Sequence, residues 1–324
     1  MIPETSDGPF ATAVIFCIMG PLNMIALIIL TRLILEYDIR QAKKRFSFKQ
    51  FFSPMNRILI LAISCLMLFY ICMAIQRFHE LHTVQYKVGF VFEKFFLAIV
   101  ETCGIYYSWI RGEAVVDIIT PKFYNSLKYS VLIFPAFFFL QVIPTVASVT
   151  YYDESTAPVI IKYAEQGSIV IGGLIVCFFD TAFTFVFLTY MQQHKQLTQQ
   201  DKKLYTISKY SVIATVTSFS AVFMYAAGFA FNSSALFDFS PNLISFTFWI
   251  LVRMKYKLYK IADDVKSQNS SVQPRKPSVA VMEASAEKRI SGQFGRIDDK
   301  TVLSPESKGG GSLPRNVRSS ILKQ

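Results

Sequence analysis

The chain has 324 residues, of which 52% are hydrophobic and 17% charged, with a formal net charge of +11. So much apolar surface excludes a soluble domain of this length and calls for one bundle of membrane helices. The basic excess sits in short loops and near the C-terminus, which favours anionic lipid as its partner, at about 1 kcal/mol per residue near the surface, over nucleic acid.

Seven long apolar stretches follow one another, at roughly residues 10–35, 58–75, 89–110, 129–149, 167–190, 210–231 and 237–252. Most meet the roughly 17 to 25 residues that a spanning helix requires, and the second and seventh need flanking residues to do so. The segment before the first stretch holds Glu4 and Asp7 and no basic residue. The first stretch is too long for the core of a cleaved leader, so it is expected to act as an uncleaved anchor. It contains Gly20-Pro21 and Asn23, and further breakers are Pro135 and Pro144 in the fourth stretch, Gly172-Gly173 in the fifth and Pro241 in the seventh. Such residues kink helices and open cavities, or simply serve packing, since neighbouring helices accommodate them in a bilayer. Gln141, Asn23 and Asn242 are expected as interhelical hydrogen-bond partners.

The basic residues sort by loop. The first, third and fifth loops carry Arg40, Lys43, Lys44, Arg45, Lys49 and Arg57, then Arg111, Lys122 and Lys128, then Lys195, Lys202, Lys203 and Lys209. The second and fourth hold only Arg77, Lys87 and Lys162, and the sixth none. Positive loops stay in the cytoplasm, so the N-terminus is expected outside and the C-terminus inside. Glu93, Lys94 and Glu101 make the third stretch the weakest. Deleting it would invert every later loop against this bias. The expected fold is thus an all-α membrane protein, a seven-transmembrane helix bundle. Residues 1–9 form an extracellular segment, 10–252 the bundle, 253–265 a short amphipathic juxtamembrane helix and 266–324 a disordered cytoplasmic tail. The amphipathic helix rests on Met254, Leu258, Ile261 and Val265 recurring at helical spacing, which would lay it on the inner leaflet.

Ionisable groups within apolar stretches are costly and point to function. Glu93 and Lys94 lie near the outer end of the third stretch, where Lys can reach the surface. Glu101 lies about 20 Å in at 1.5 Å per residue, and Asp180 at a similar depth in the fifth. Either the two acids line a polar cavity that answers to ligand, proton or Na⁺, with Glu93 and Lys94 nearer its mouth, or each is neutralised by a local hydrogen bond and pins packing. The sequence leaves both open. His79-Glu80-Leu81-His82 in the second loop reads as a solvated loop; no metal or cofactor site is expected. The five cysteines all fall inside apolar stretches, so no outer-loop disulfide is expected. Retinal chemistry is disfavoured because no Lys lies between Phe237 and Val252. The loops hold no phosphate-binding Gly loop, nucleophile elbow or kinase signature, so the chain is not read as an enzyme. Ser278, Ser291 and Ser319 follow basic residues and are phosphorylation candidates. Asn232-Ser233-Ser234 is a glycosylation sequon close to the bilayer.

Seven spans, an outer N-terminus, a basic amphipathic segment after the last span and a Ser-rich tail resemble a divergent G-protein-coupled receptor. The likeness covers residues 10 to about 265 and is architectural. Trp109-Ile110-Arg111-Gly112-Glu113 shares only Arg111 with the acidic-Arg-Tyr motif of the rhodopsin-like class, and Ser240-Pro241-Asn242-Leu243-Ile244 shares only the proline of Asn-Pro-x-x-Tyr. The resemblance implies a plasma-membrane receptor that senses an extracellular ligand and couples to a heterotrimeric G protein, with Arg111 as the coupling residue. The alternatives are a transporter or channel with intramembrane acids as a proton or ion relay, and a non-signalling membrane scaffold.

Overall fold

A computed structural model describes residues 7–40, 51–79, 83–151, 159–193, 199–231 and 233–271. All described elements are helical: α1 (Asp7–Leu33), continued as a π-helix (Ile34–Arg40), α2 (Pro54–Phe78), α3 (Val84–Ile119), α4 (Pro121–Leu140), α5 (Val142–Tyr151), α6 (Val159–Gln193), α7 (Gln199–Phe231) and α8 (Ser234–Ser271). Among the described residues, six helical segments are long and apolar enough to cross a membrane: Ala13–Tyr37, Pro54–Phe78, Pro121–Thr150, Tyr163–Gln192, Lys202–Phe231 and Ala235–Asp264. The second and last of these do gain length from flanking residues. The charges of α3 keep it out of that set. Seven spans are therefore an expectation of the charge pattern, beyond the six that composition supports.

Local chemistry sets the helix ends. Pro54 opens α2 at a position where a missing N–H costs nothing, and Pro121 opens α4 in the same way. Thr83 caps α3, its hydroxyl accepting from the Tyr86 N–H at 3.3 Å. The fourth apolar stretch divides into α4 and α5 at Gln141, whose N–H turns back to the Phe138 carbonyl at 3.3 Å. Pro144 is the cause: it has no N–H for the Leu140 carbonyl, and its ring crowds that oxygen. No Gly or Pro follows Pro241 before Ser271, and α8 runs through to Ser271 without a break. Residues 253–265 therefore prolong α8 instead of forming a helix of their own, and 266–271 are helical as well. The chain divides into two units at Ile261 and Ala262, the second described only through Ser271.

Cross-helix pairs give each direction. α2 is antiparallel to α3, with Gln76 bonded to Glu93 toward one end and Cys65 packed with Cys103 toward the other. α4 is antiparallel to α3, through Tyr124 with Glu113 at one end and Gln141 with Glu101 further along. α3 and α6 run parallel: Gly104 meets Val176, Ser108 meets Asp180 and Gly112 meets Phe183, a constant register. α7 returns antiparallel to α6 through Gly173 with Val222 and Thr184 with Thr215. α8 runs with α1, as the Asn23–Ser245 bond and the stacked Tyr37 and Tyr259 rings show. In this sense α1, α3, α6 and α8 start at one end, called upper below. Exposed Arg57, Lys122, Lys202, Lys209, Arg253 and Lys257 gather toward the other, lower end.

α3 is the axis of the molecule. Among the described residues it alone supplies buried side chains to all three hydrophobic clusters: Val100 and Tyr107 to one with α1, α2 and α8, Trp109 and Val116 to one with α4 and α6, and Leu97 to one holding Phe16 and Tyr70. Two glycines permit the close approach of α6. A Cβ on Gly112 would lie 2.3 Å from Phe183 Cδ1, and one on Gly173 2.6 Å from Val222 Cγ2. Asn23 and Asn242 tie helices together as expected from the sequence: Trp249 Nε1 donates to Asn23 Oδ1 at 3.0 Å, and the Tyr70 hydroxyl to Asn242 Oδ1 at 3.1 Å.

Candidate functional site

A cavity of about 1070 Å³ opens within the bundle and is walled by α2, α3, α5, α6, α7 and α8. Glu93, Lys94, Glu101, Asp180 and Arg111 all line it. Four of these stand on α3, where a spacing of seven residues keeps Glu101 on the face that carries Lys94, and Arg111, ten residues further, lies about 80° round the helix. Pro241 and Gly173 also border the cavity, while Gly20 and Pro21 line a separate small groove between α1 and α2.

At the upper end the charges are paired. Glu93 and Lys94 are buried, with Lys94 Nζ 2.7 Å from Glu93 Oε1. Gln76 Nε2 donates to the other carboxylate oxygen at 2.8 Å, and the ammonium lies 5.2 Å from the Phe90 ring centre. The sequence allowed Lys94 to reach out toward the surface. Instead it turns inward, because Glu93 and Phe90 offer it a counter-charge and a ring face at no loss of packing. Beside this pair, Arg77 Nη2 grips both oxygens of Asp238 at 2.6 and 2.7 Å, joining the last turn of α2 to the first turns of α8. Sequence reading counted Arg77 only as a loop charge and passed over Asp238. The available signal was opposite charge at the same end of two helices.

Deeper in, partners thin out. Glu101 is 9% exposed, and its Oε2 accepts from Gln141 Nε2 at 3.1 Å. Both of its oxygens lie just over α6 at Gly172, where a Cβ would come within 3.1 and 3.2 Å of them. The kink that Pro144 imposes at Gln141 and the missing side chain of Gly172 thus shape the seat of one carboxylate. Asp180 accepts from the Ser108 hydroxyl. Since Ser108 is seven residues below Glu101 on α3, the two acids stand about 10 Å apart along the axis. They do not share a level as the sequence count implied, because α6 begins at Val159, well before its apolar stretch.

At the lower end, Arg111 lies between the rings of Tyr107 and Phe187, its guanidinium carbon 5.7 Å from each centre. Arg111 Nε and Nη1 and the Tyr107 hydroxyl are buried without a hydrogen-bond partner among the described residues. Asp180, one turn above Phe183 and two above Phe187 on the same helix, forms no ion pair with Arg111. Aromatic faces attract the guanidinium but leave its N–H groups unsatisfied.

His79 borders the mouth, and Glu80 to His82 lie outside the described residues, as do Lys43, Lys44, Arg45, Lys49, Lys195, Asn232 and the phosphorylation candidates Ser278, Ser291 and Ser319. No protein-family model and no curated protein matches this sequence. The class that fold and site define is therefore a multi-pass, all-helical integral membrane protein with a charged internal cavity.

Proposed function

We propose that the protein is a seven-pass receptor of the plasma membrane, with its N-terminus outside, which senses a ligand in the central cavity and passes the signal to a heterotrimeric G protein at its basic cytoplasmic end. The carrying observation is the cavity itself, because it joins paired charges at the upper end to an under-partnered Arg111 toward the basic end. Seven passes are supported by the direction of α3, which runs antiparallel to α2 and α4 and parallel to α6. Its charges face the interior, where a membrane helix can keep them.

Ligand binding transmits only if the two packings of the bundle bind ligand differently. Arg111 suits that requirement: its unsatisfied donors favour any packing that gives them an acceptor, and Asp180 on α6 is the acid nearest to hand. The test is nucleotide exchange on purified G proteins with the receptor in bilayer discs. Ligand should stimulate exchange, and Arg111→Ala should abolish the stimulation while leaving ligand binding intact. Stimulation that survives Arg111→Ala removes this role.

A second reading, transport, draws on the length of the cavity, whose lining runs from His79 to Leu251. Flux into proteoliposomes that Glu101→Gln and Asp180→Asn both stop, with no nucleotide exchange, would replace the receptor reading.

A further inference from the structure

The charges along the cavity are unevenly matched. Arg77 answers Asp238, and Lys94 answers Glu93. Glu101 forms no ion pair among the described residues: Gln141 is its single hydrogen-bond partner, Oε1 has none, and Lys94, about 10 Å above it along α3, is already held by Glu93. The next cation down, Arg111, is ten residues away on the same helix, about 15 Å along the axis. An acid at this depth is expensive unless something compensates it.

Its surroundings define what that something is. At the level of Glu101 the cavity wall is largely apolar, formed by Phe69, Met73, Ile169, Val222, Ile244 and Phe248, and the hydroxyls of Ser240 and Thr247 on the same wall are spent on backbone carbonyls. No group of three metal-binding side chains occurs among the described residues, so a bare metal ion would lack ligands. Above, the rings of Phe90, Tyr225 and Phe229 border the space. Aromatic faces attract organic cations and tolerate apolar bodies equally well. The volume matches that of small-molecule sites, which reach about 1,000 Å³.

We propose that the mid-cavity site at Glu101 binds a small organic monocation, an amine whose ammonium pairs with the Glu101 carboxylate while its apolar or aromatic body fills the space between α2, α6 and α8. This deepens the receptor reading and rests on it for the meaning of binding, but not for the binding itself. Glu93 is less suited as the anchor, since Lys94 and Gln76 already occupy its oxygens. Gly172 is part of the site, because any side chain there would displace the carboxylate.

The test uses the full chain in bilayer discs, with empty discs as the control for partitioning. Octylamine and 2-phenylethylamine are compared with 1-octanol, 2-phenylethanol and 3-phenylpropanoate by calorimetry and thermal shift. The expected result is that the amines bind best and that Glu101→Gln weakens them about tenfold or more, as loss of a charge-assisted bond implies, without changing the weaker binding of the alcohols. Gly172→Ala should weaken the amines in the same direction while the unliganded protein still melts cooperatively, which covers the case of a Glu101→Gln protein that fails to fold. Binding of neither amine overturns the proposal, as does equal binding of amine and alcohol, or amine affinity indifferent to both substitutions. Preference for 3-phenylpropanoate also overturns it and moves the anchor to Arg111. Amine binding without nucleotide exchange would leave the site standing and sink the receptor reading alone.

Discussion

α3 and α4 are neighbours built on opposite plans. α4 has no charge beyond Lys128 and is apolar from Val131 onward, and of its 20 residues only Val131 and Phe138 are buried; Phe123, Leu132, Ile133 and Phe137 face outward. α3 carries Glu93, Lys94, Glu101 and Arg111, too much charge to pass as a spanning helix by composition, yet it contributes to every core cluster. In a bilayer the lipid is as apolar as any core, so hydrophobicity does not drive a helix inward. Polar and charged groups are what must be hidden from lipid, and the helix that bears them takes the centre. The helix with charge set inside its apolar stretch is for that reason the central one.

The contrast breaks first on an all-or-none experiment. Single cysteines at Thr83→Cys and Thr120→Cys, flanking α3, are expected to react with a membrane-impermeant maleimide from opposite sides of sealed vesicles. Labelling of both from one side would mean that α3 does not cross, and the contrast would become one between a spanning and a re-entrant helix.

Next comes the buried pair. Lys94→Met leaves Glu93 enclosed without its counter-charge and is expected to destabilise by about 3 to 5 kcal/mol in unfolding from mixed micelles. The double variant Glu93→Gln with Lys94→Met should recover most of that loss. If the single variant unfolds like the parent, the pair is solvated and the enclosure of α3 is overstated.

Packing against α6 gives a smaller effect. Gly112→Ala drives a methyl into the Phe183 ring and should cost about 1 to 3 kcal/mol. Gly20→Ala on α1 meets nothing within 4 Å, and should stay within about 0.5 kcal/mol. Equal melting of the two variants would show that α3 and α6 are not tightly opposed. Smallest of all, Tyr70→Phe removes a hydroxyl bonded to Asn242 and Ser245. Interhelical hydrogen bonds in membranes average about 0.6 kcal/mol, so a shift near that size is expected in the same assay, and one several times larger would mean that neutral bonds rival the charged axis.

Much of the site was visible as chemical anomaly. Glu93, Lys94, Glu101 and Asp180 stand out because charge is rare in apolar stretches, and all of them line one cavity. Their levels were not visible, since depth counted from the edge of an apolar stretch ignores the turns of helix beyond it; Asp180 therefore lies below Glu101. Nor could sequence show that Lys94 turns inward, that Arg77 meets Asp238, or that α8 continues through the stretch expected as a separate helix.

By itself, the sequence determined the solvent and the elements. Apolar runs of bilayer length demand helices, because every backbone N–H and C=O must find a partner within its own segment, and the loop charges predict which way those helices point. Only the tertiary structure decided which helix is central and which charges meet. Such pairings depend on register between distant segments, Gly172 under Glu101 or Gly112 under Phe183, and register is set by the fit of whole surfaces, which no local stretch of sequence contains.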